Sequence, residues 1–253
     1  MRTISLLLLL AVAAFSLPSL CADAPRSEVF DRTVPLAAGG RFELENVNGS
    51  ITITGWDRDA VEVQAVKTAA LPDANLAEVR IDLHAEPERV AVATVYPQEE
   101  SIEVAVEYSV RVPRHVLLQQ VSTVNGSVRV TGVAAQGALR AVNGNIQMSD
   151  SAGAFTARTT NGDVHLELTR LAPAGTLAIE TVNGSVVLAI PRDSSATFDV
   201  RSVNGDFRSE LPLVVASAYK PREFHGHLGT GGPAVQLRTV NGAIRVTSLP
   251  EGI

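Results

Sequence analysis

The stretch Thr181-Val182-Asn183-Gly184-Ser185-Val186-Val187-Leu188 contains a motif that occurs seven times in this chain and decides its fold. An Asn-Gly pair flanked by alternating apolar residues predicts a tight turn, because these two residues tolerate a positive φ better than others do. Gly184 is therefore expected to hold a positive φ, so that a valine there would cost more than about 1 kcal/mol. The seven predicted structural turns are Asn48-Gly49, Asn125-Gly126, Asn143-Gly144, Asn161-Gly162, Asn183-Gly184, Asn204-Gly205 and Asn241-Gly242.

Each Asn-Gly pair stands between two short stretches in which apolar and polar residues alternate. Val186 and Leu188 follow the quoted pair at alternate positions, and Leu177 and Ile179 precede it in the same way. A period of two predicts strands with one apolar face. Each repeat is thus predicted to be a strand, a turn and a second strand. The repeat after Asn204 is less regular, because the polar Ser209 stands where an apolar residue is expected.

The spacing of the pairs predicts how the repeats are assembled. Consecutive pairs are 77, 18, 18, 22, 21 and 37 residues apart. A period of about twenty is typical of solenoid rungs, which must stack because one rung cannot bury its apolar face alone. A meander of β-hairpins shows the same alternation and is the alternative. We predict an all-β, single-stranded β-solenoid or β-helix-like stack of short strands with Asn-Gly turns, preceded by an N-terminal strand-rich part.

The amino terminus has the pattern of a secretory signal peptide. Arg2 precedes an apolar run over residues 4–17, and small residues follow. We predict residues 1–24 to be this signal peptide. The run is shorter than the roughly 20 residues of a membrane span, so no transmembrane span is expected in the mature chain. Cys21 is the only cysteine; its lipidation and an uncleaved membrane anchor are the alternatives here.

Two further regions complete the predicted organisation. Residues 25–115 form an N-terminal β-strand region with the first repeat and an acidic insertion, and residues 116–253 form the Asn-Gly repeat solenoid, continuous with the preceding part. A stretch rich in Gly and Pro between Asn204 and Asn241 is expected to cover the end of the stack. The acidic insertion suits edge strands that avoid sheet association, or else a basic partner or calcium. Its acids are Glu78, Asp82, Glu86, Glu88, Glu99, Glu100, Glu103 and Glu107.

Few residues in the chain suggest chemistry. His225 and His227 could begin a metal site, but no third ligand is near them in sequence. His165 and Glu167 share one strand face without an identifiable nucleophile. Trp56 is expected to seal the end of a rung. We therefore predict no catalytic residue, no metal and no cofactor, and an isoelectric point near 5.4 argues against nucleic acid.

Several segments together resemble the bacterial putative-adhesin family, an exported domain of unknown function. The resemblance covers essentially the whole mature chain and implies an exported, solenoid-like envelope protein without an established active site. The segments are Asn46-Val-Asn-Gly-Ser-Ile-Thr-Ile-Thr-Gly-Trp-Asp57, Val110-Arg-Val-Pro113, Thr123-Val-Asn-Gly-Ser-Val-Arg-Val-Thr-Gly132 and Leu237-Arg-Thr-Val-Asn-Gly-Ala-Ile-Arg-Val246.

The function expected from these observations is that of an exported, non-enzymatic binding or scaffold protein of the bacterial cell envelope. Its repeated polar face would meet an envelope protein or a glycan in the periplasm or at the cell surface. The alternatives are a carbohydrate-active solenoid enzyme and a purely structural envelope component. Aromatic residues make up only 4% of the chain, which disfavours the stacking platforms that such enzymes usually offer to sugars.

Overall fold

The computed structural model describes residues 26–69, 76–97, 104–216 and 222–249. The predicted signal peptide and Cys21 lie outside the described residues. The described residues form 20 strands and one 3-10 turn, at Leu76–Glu78. The strands are β1 (Ser27–Pro35), β2 (Arg41–Glu45), β3 (Ile51–Trp56), β4 (Ala60–Ala69), β5 (Arg80–Glu86), β6 (Arg89–Val95), β7 (Val104–Pro113), β8 (Leu117–Asn125), β9 (Val128–Thr131), β10 (Ala134–Asn143), β11 (Ile146–Asn161), β12 (Val164–Leu171), β13 (Thr176–Asn183), β14 (Val186–Ile190), β15 (Ala196–Asn204), β16 (Phe207–Ser209), β17 (Val214–Val215), β18 (Glu223–Leu228), β19 (Ala234–Asn241) and β20 (Ile244–Ser248).

The strands form one hydrogen-bonded sheet that folds into two layers around a common core. Layer A contains the strands that precede the Asn-Gly pairs together with β5, β6, β17 and β18, in the order β5-β6-β2-β8-β10-β11-β13-β19-β15-β18-β17. Layer B contains the strands that follow the pairs together with β1, β4 and β7, in the order β1-β4-β7-β3-β9-β11-β12-β14-β20-β16. The first half of β11 belongs to layer B and the second half to layer A.

The solenoid prediction is confirmed, and the hairpin alternative is wrong. The two strands flanking each Asn-Gly pair do not pair with one another; each pairs in parallel with the equivalent strand of the neighbouring rung. Asn183, for example, is in register with Asn161 on one side and with Asn241 on the other. Parallel pairing in register places equivalent residues of successive rungs about 4.8 Å apart, so every repeated side chain becomes a line along the stack.

The order of the rungs in space differs from their order in sequence at both ends. The last repeat, β19 with β20, lies between the rung of β13 and β14 and the rung of β15 and β16. At the other end β7 lies between β3 and β4. In each case a later segment fills a gap between two earlier ones. The Asn residues therefore follow one another in space as Asn48, Asn125, Asn143, Asn161, Asn183, Asn241 and Asn204.

The ends of the stack are covered by antiparallel strands. β1 and β4 cover layer B, β5 pairs only with β6 in layer A, and β18 covers the opposite end of layer A beside β15. The strand β18 and the short β17 come from the Gly- and Pro-rich stretch that was expected to cover the stack. The acidic residues Asp82 and Glu86 lie on the edge strand β5, where charge discourages pairing with other sheets.

The core follows from the alternation of apolar residues. In the rung of Asn183, Leu177 and Ile179 from layer A and Val186 and Leu188 from layer B are each no more than 3% exposed. Burial of one such side chain contributes about 1.5–3 kcal/mol. One continuous cluster of this kind runs along the stack, so the rungs are stable together rather than singly.

The Asn-Gly pairs are bends between the layers and differ from the predicted turns in one respect. The expectation that Gly184 holds a positive φ is wrong, since only Gly49, Gly162 and Gly242 of the seven do so. Glycine is required by the close approach of stacked backbones: a Cβ on Gly184 would lie 2.0 Å from the carbonyl oxygen of Gly162. At all seven glycines the nearest backbone oxygen would be 1.9–2.2 Å from such an atom.

The residue two positions before each Asn explains the Thr-Val-Asn-Gly motif. Thr181 is 4% exposed, and its hydroxyl donates a hydrogen bond of 2.9 Å to the carbonyl oxygen of Gly162 in the adjacent rung. This bond provides a hydrogen-bond donor for the carbonyl oxygen of Gly162, which lies against Gly184. Equivalent bonds are made by Thr123, Thr159, Ser202 and Thr239.

Candidate functional site

The predicted turn residues form a ladder along one edge of the stack. The side-chain amide of each Asn except Asn48 donates to the amide oxygen of the Asn in an adjacent rung, as Asn161 does to Asn143 at 2.8 Å. Six such bonds of 2.8–2.9 Å connect all seven residues. The amide groups are thus engaged with one another, which indicates a structural role for these residues.

A second line of side chains follows the outer face of layer A, three positions before each Asn. Its members from one end to the other are Glu45, Ser122, Arg140, Arg158, Glu180, Arg238 and Arg201, all in register. Because these strands are parallel, neighbouring members are about 4.8 Å apart at the backbone. Two Arg-Arg neighbours, Arg140 with Arg158 and Arg238 with Arg201, are thus held side by side on either side of Glu180.

The charges in this line are only partly compensated. Glu180 accepts a bond of 2.9 Å from Arg158 Nε and lies 3.7 Å from Arg238 Nη1. Arg201 Nε is 3.3 Å from Asp199 Oδ1. Arg140 makes no ion pair within the described part of the chain, and Arg238 Nε is buried without a hydrogen-bond partner there. The line thus has more guanidinium groups than carboxylates, although the whole chain has a formal charge of −6.

A row of exposed valines runs beside the arginines, one position before each Asn. Val182, Val203 and Val240 are 41%, 50% and 38% exposed, and Thr160 occupies the same row. Exposed aliphatic side chains in a continuous row are unusual on a soluble surface and mark sites of interaction when they are grouped. The row adds apolar contact area directly beside the guanidinium groups.

Together the two rows line a groove of about 430 Å³ on the outer face of layer A. We call it the arginine groove; it is lined by Arg140, Arg158, Glu180, Arg201 and Arg238 together with Thr160, Val182, Val203 and Val240. None of the residues lining it is aromatic. The groove runs across five rungs, so its long axis follows the stack.

The same face of layer A is different near the other end of the stack. There Arg89 donates two hydrogen bonds to Glu43, of 2.6 and 3.1 Å. These bonds hold the pKa of the Glu43 carboxyl below its usual value, against the opposing effect of partial burial. Gln120 donates to Glu45 at 2.7 Å. Charged groups in these rungs therefore satisfy one another, whereas in the arginine groove four guanidinium groups share the single carboxylate of Glu180.

The histidines do not assemble a metal site. His225 lies on β18 with its Nδ1 3.8 Å from Asp199 Oδ1, and His227 is opposite Thr197. Within the described residues no group of three or more His, Cys, Asp or Glu side chains could hold a metal ion. His165 and Glu167 do meet, at 3.3 Å, but both are more than 40% exposed on the outer face of layer B.

Trp56 is held at the end of β3. Its Nε1 donates to the carbonyl oxygen of Ala60 at 2.8 Å, and the guanidinium of Arg58 lies 5.1 Å from the centre of the ring system. Arg111 is a second cation near the ring, at 5.9 Å. The ring is therefore engaged with residues of this chain.

The arginine groove was not identified in the sequence, which indicated only a generally polar face. The signal was nevertheless present: counting three residues back from each Asn gives arginine at Arg140, Arg158, Arg201 and Arg238. The order of the rungs in space could not be predicted from the sequence. This order places Arg238 between Glu180 and Arg201.

Comparison with known proteins identifies the family. Residues 40–247 match the model of the Toastrack DUF4097 family, and the chain therefore belongs to this family, whose fold is β-solenoid-like. No curated protein matches the chain significantly. Among the described residues no helix is long and apolar enough to span a membrane.

Solved structures that match the chain include two bacterial proteins. A putative cell adhesion protein from Clostridium sporogenes ATCC 15579 is 12% identical, with a TM-score of 0.50 over 89% of this chain and 100% of that chain. A putative adhesin from Bacteroides fragilis NCTC 9343 is 10% identical, with a TM-score of 0.32 over 88% of this chain and 97% of that chain. At 12% identity, the similarity to the Clostridium protein supports the fold alone.

Proposed function

We propose that this chain is an exported, non-enzymatic binding or scaffold protein of the bacterial cell envelope, and that it binds an extended acidic partner in the arginine groove. The observation that carries the proposal is the pair of Arg-Arg neighbours held in register on either side of Glu180. Like charges on adjacent strands repel. A partner that brings carboxylates between them would remove this repulsion.

The chemistry of the groove defines the partner. Guanidinium groups bind carboxylates through two parallel hydrogen bonds, and the arginines recur at the spacing of the strands. The partner must therefore be an extended chain with repeated carboxylates, lying along the stack. The valine row offers aliphatic contacts, and the groove has no aromatic platform for sugar rings. These features favour an acidic protein segment over a glycan.

The adhesion role named for the Clostridium protein agrees with a binding function, and the predicted signal peptide agrees with export. A rigid stack suits such a role, because the backbone of paired strands is already ordered before a partner binds. The ladder of seven Asn side chains and the Asn-Gly bends would then hold the strands of the groove in register.

The proposal can be tested with purified mature protein and labelled polymers. Poly-L-glutamate should bind with an affinity that falls as salt rises, whereas poly-L-lysine should not bind. Replacing Arg140 and Arg238 by serine should weaken the binding of poly-L-glutamate by about tenfold or more, since hydrogen bonds to charged groups contribute about 1.5–3 kcal/mol each. Fluorescence anisotropy of the labelled polymers measures the affinity, its dependence on salt and its loss in the serine variant.

The matched control changes the same charge on the opposite side of the molecule. Arg129 and Arg245 are exposed on the outer face of layer B, and their replacement by serine should leave the affinity within about twofold of the original. Polygalacturonate, an acidic glycan, should bind more weakly than poly-L-glutamate. Equal weakening by both pairs of substitutions, or no binding of either acidic polymer, would contradict the proposal.

A further inference from the structure

Six of the seven Asn-Gly pairs have their glycine amide engaged in a backbone hydrogen bond, and the seventh does not. Each engaged amide donates to the carbonyl oxygen of the Asn in the next rung, at 2.8–3.1 Å, as Gly184 does to Asn241. The others are Gly49 to Asn125, Gly126 to Asn143, Gly144 to Asn161, Gly162 to Asn183 and Gly242 to Asn204.

Gly205 has no such partner because its rung is the last of the ladder. Within the described residues its amide makes no hydrogen bond, and it is exposed, whereas the other six glycines are only partly so. The preceding Asn204 is also bonded on one side only. Its amide nitrogen donates to Asn241 Oδ1 at 2.8 Å, while its own amide oxygen accepts no bond from another Asn.

This difference has a chemical consequence, because Asn-Gly pairs rearrange spontaneously. The backbone nitrogen of the glycine loses its proton and attacks the side-chain carbonyl carbon of the Asn. A carbon–nitrogen bond closes a five-membered succinimide, and the side-chain nitrogen leaves as ammonia. Water then opens the ring to aspartate or isoaspartate. The attack requires a free amide nitrogen in contact with the side chain, and a nitrogen whose N–H is held in a ladder bond is not free.

We propose that Asn204 is a deamidation site of the native protein and that modification enters the ladder at this end. The six engaged glycines must first break a backbone hydrogen bond between rungs, which requires local opening of the stack. Gly205 needs no such step.

Deamidation of Asn204 prepares the next site. A carboxylate cannot donate to Asn241 Oδ1, so the last amide bond of the ladder is lost and a negative charge faces that oxygen. Isoaspartate also lengthens the backbone that holds the carbonyl group accepting the Gly242 amide. Release of that amide makes Asn241 the second residue to react, although it lies 37 residues further along the chain.

The experiment follows the seven pairs in the folded wild-type chain, incubated at mildly alkaline pH and analysed by peptide mass spectrometry. Asn204 should convert at least about tenfold faster than each of the other six, since one hydrogen bond and a local opening separate the two groups. The same incubation in urea is the control. There all seven should convert at similar rates, because their immediate neighbours in sequence are similar.

A second variant tests the order of events. In the Asn204→Gln chain, whose longer side chain cyclises far more slowly, Asn241 should convert no faster than Asn183. In the wild type, conversion of Asn241 should be enriched in molecules already modified at Asn204. Equal native rates at all seven pairs, or faster conversion at an internal pair such as Asn143, would overturn the proposal.

Discussion

The bends and the arginine groove lie only a few residues apart in the five rungs that they share, yet they follow opposite rules. The bend repeats the same chemistry, with glycine at all seven positions and asparagine beside it. The position three residues earlier changes from rung to rung, from Glu45 and Ser122 to the arginines around Glu180. In a stacked repeat, an invariant position is one where the backbones leave no choice, and a variable one is free to carry function.

The largest loss of stability should come from a methyl group placed at the glycine of a bend. We expect Gly184→Ala to lower the free energy of unfolding by about 3 kcal/mol or more, because the new Cβ would overlap the carbonyl oxygen of Gly162 and separate two rungs. Urea denaturation followed by circular dichroism measures the change.

Gly137 provides the matched control, since a Cβ there would meet only side chains, those of Leu118 and Phe155, at 3.0 Å. Gly137→Ala should cost about 1 kcal/mol, because side chains adjust more easily than backbone. Similar losses for the two variants would show that the bend has no special requirement for glycine.

The next effect concerns the asparagine ladder. Asn161→Ala removes two side-chain hydrogen bonds, one to Asn143 and one from Asn183, and should cost about 2 kcal/mol at about 1 kcal/mol per bond. Asn204→Ala removes only the bond to Asn241 and should cost about half as much. Thermal and urea unfolding of both variants would measure the contribution of the Asn ladder to stability separately from that of the glycines. The ladder would be irrelevant to stability if both variants matched the wild type.

A smaller, pH-dependent effect on stability is expected from the buried hydroxyl group of Tyr108. Tyr108 is 2% exposed and shares a hydrogen bond of 2.7 Å with Thr94, which also donates to Asn46. Burial raises the pKa of Tyr108 to about 12. The stability contributed by this group is therefore complete below pH 10 and is lost as pH rises through about 12.

From this shift we expect the free energy of unfolding to fall by about 1.4 kcal/mol between pH 9 and pH 11 on account of Tyr108. The Tyr108→Phe variant should lack this part of the slope, while starting from a lower stability because Thr94 loses a partner. Urea unfolding at the two pH values gives the comparison. An identical slope in the two chains would show that Tyr108 ionises normally.

The smallest effect on stability should come from the arginine groove. Arg140 has no ion pair within the described residues and stands beside Arg158, so Arg140→Ser should change the free energy of unfolding by less than about 0.5 kcal/mol. The same substitution should weaken binding of poly-L-glutamate measurably. A large loss of stability would mean that the arginine is structural, and the contrast between bend and groove would fail.

The middle of the molecule could be predicted from the sequence, and its ends could not. Between Asn125 and Asn183 the near-constant spacing is enough, because each rung pairs with the next one along the chain. The 77-residue interval conceals β6 and β7, which pair in parallel with β2 and β3 although no Asn-Gly joins them. The insertion of the Asn241 rung depends on which strand edges are free in three dimensions, and no local pattern records that.

The candidate site shows the same limit. The types of residue in the groove were visible as a polar face, but their grouping depends on register between strands that are far apart in sequence. Arg201 and Arg238 are neighbours only because β19 pairs with β15. At Gly184 the positive φ expected from turn chemistry is absent, and the Cβ position is instead filled by the carbonyl oxygen of Gly162. Turn chemistry is local in sequence, whereas this contact joins two rungs.

The most direct test of the central claim is site-specific photo-crosslinking of the full chain in its native cells. A photoreactive residue in place of Thr160 lies in the arginine groove, and one in place of Gln147 lies on the outer face of layer B. We predict that position 160 captures one defined acidic partner, that position 147 does not, and that replacing Arg140 and Arg238 by serine abolishes the capture. Capture of the same partner from both positions, or capture that persists in the serine variant, would contradict the account.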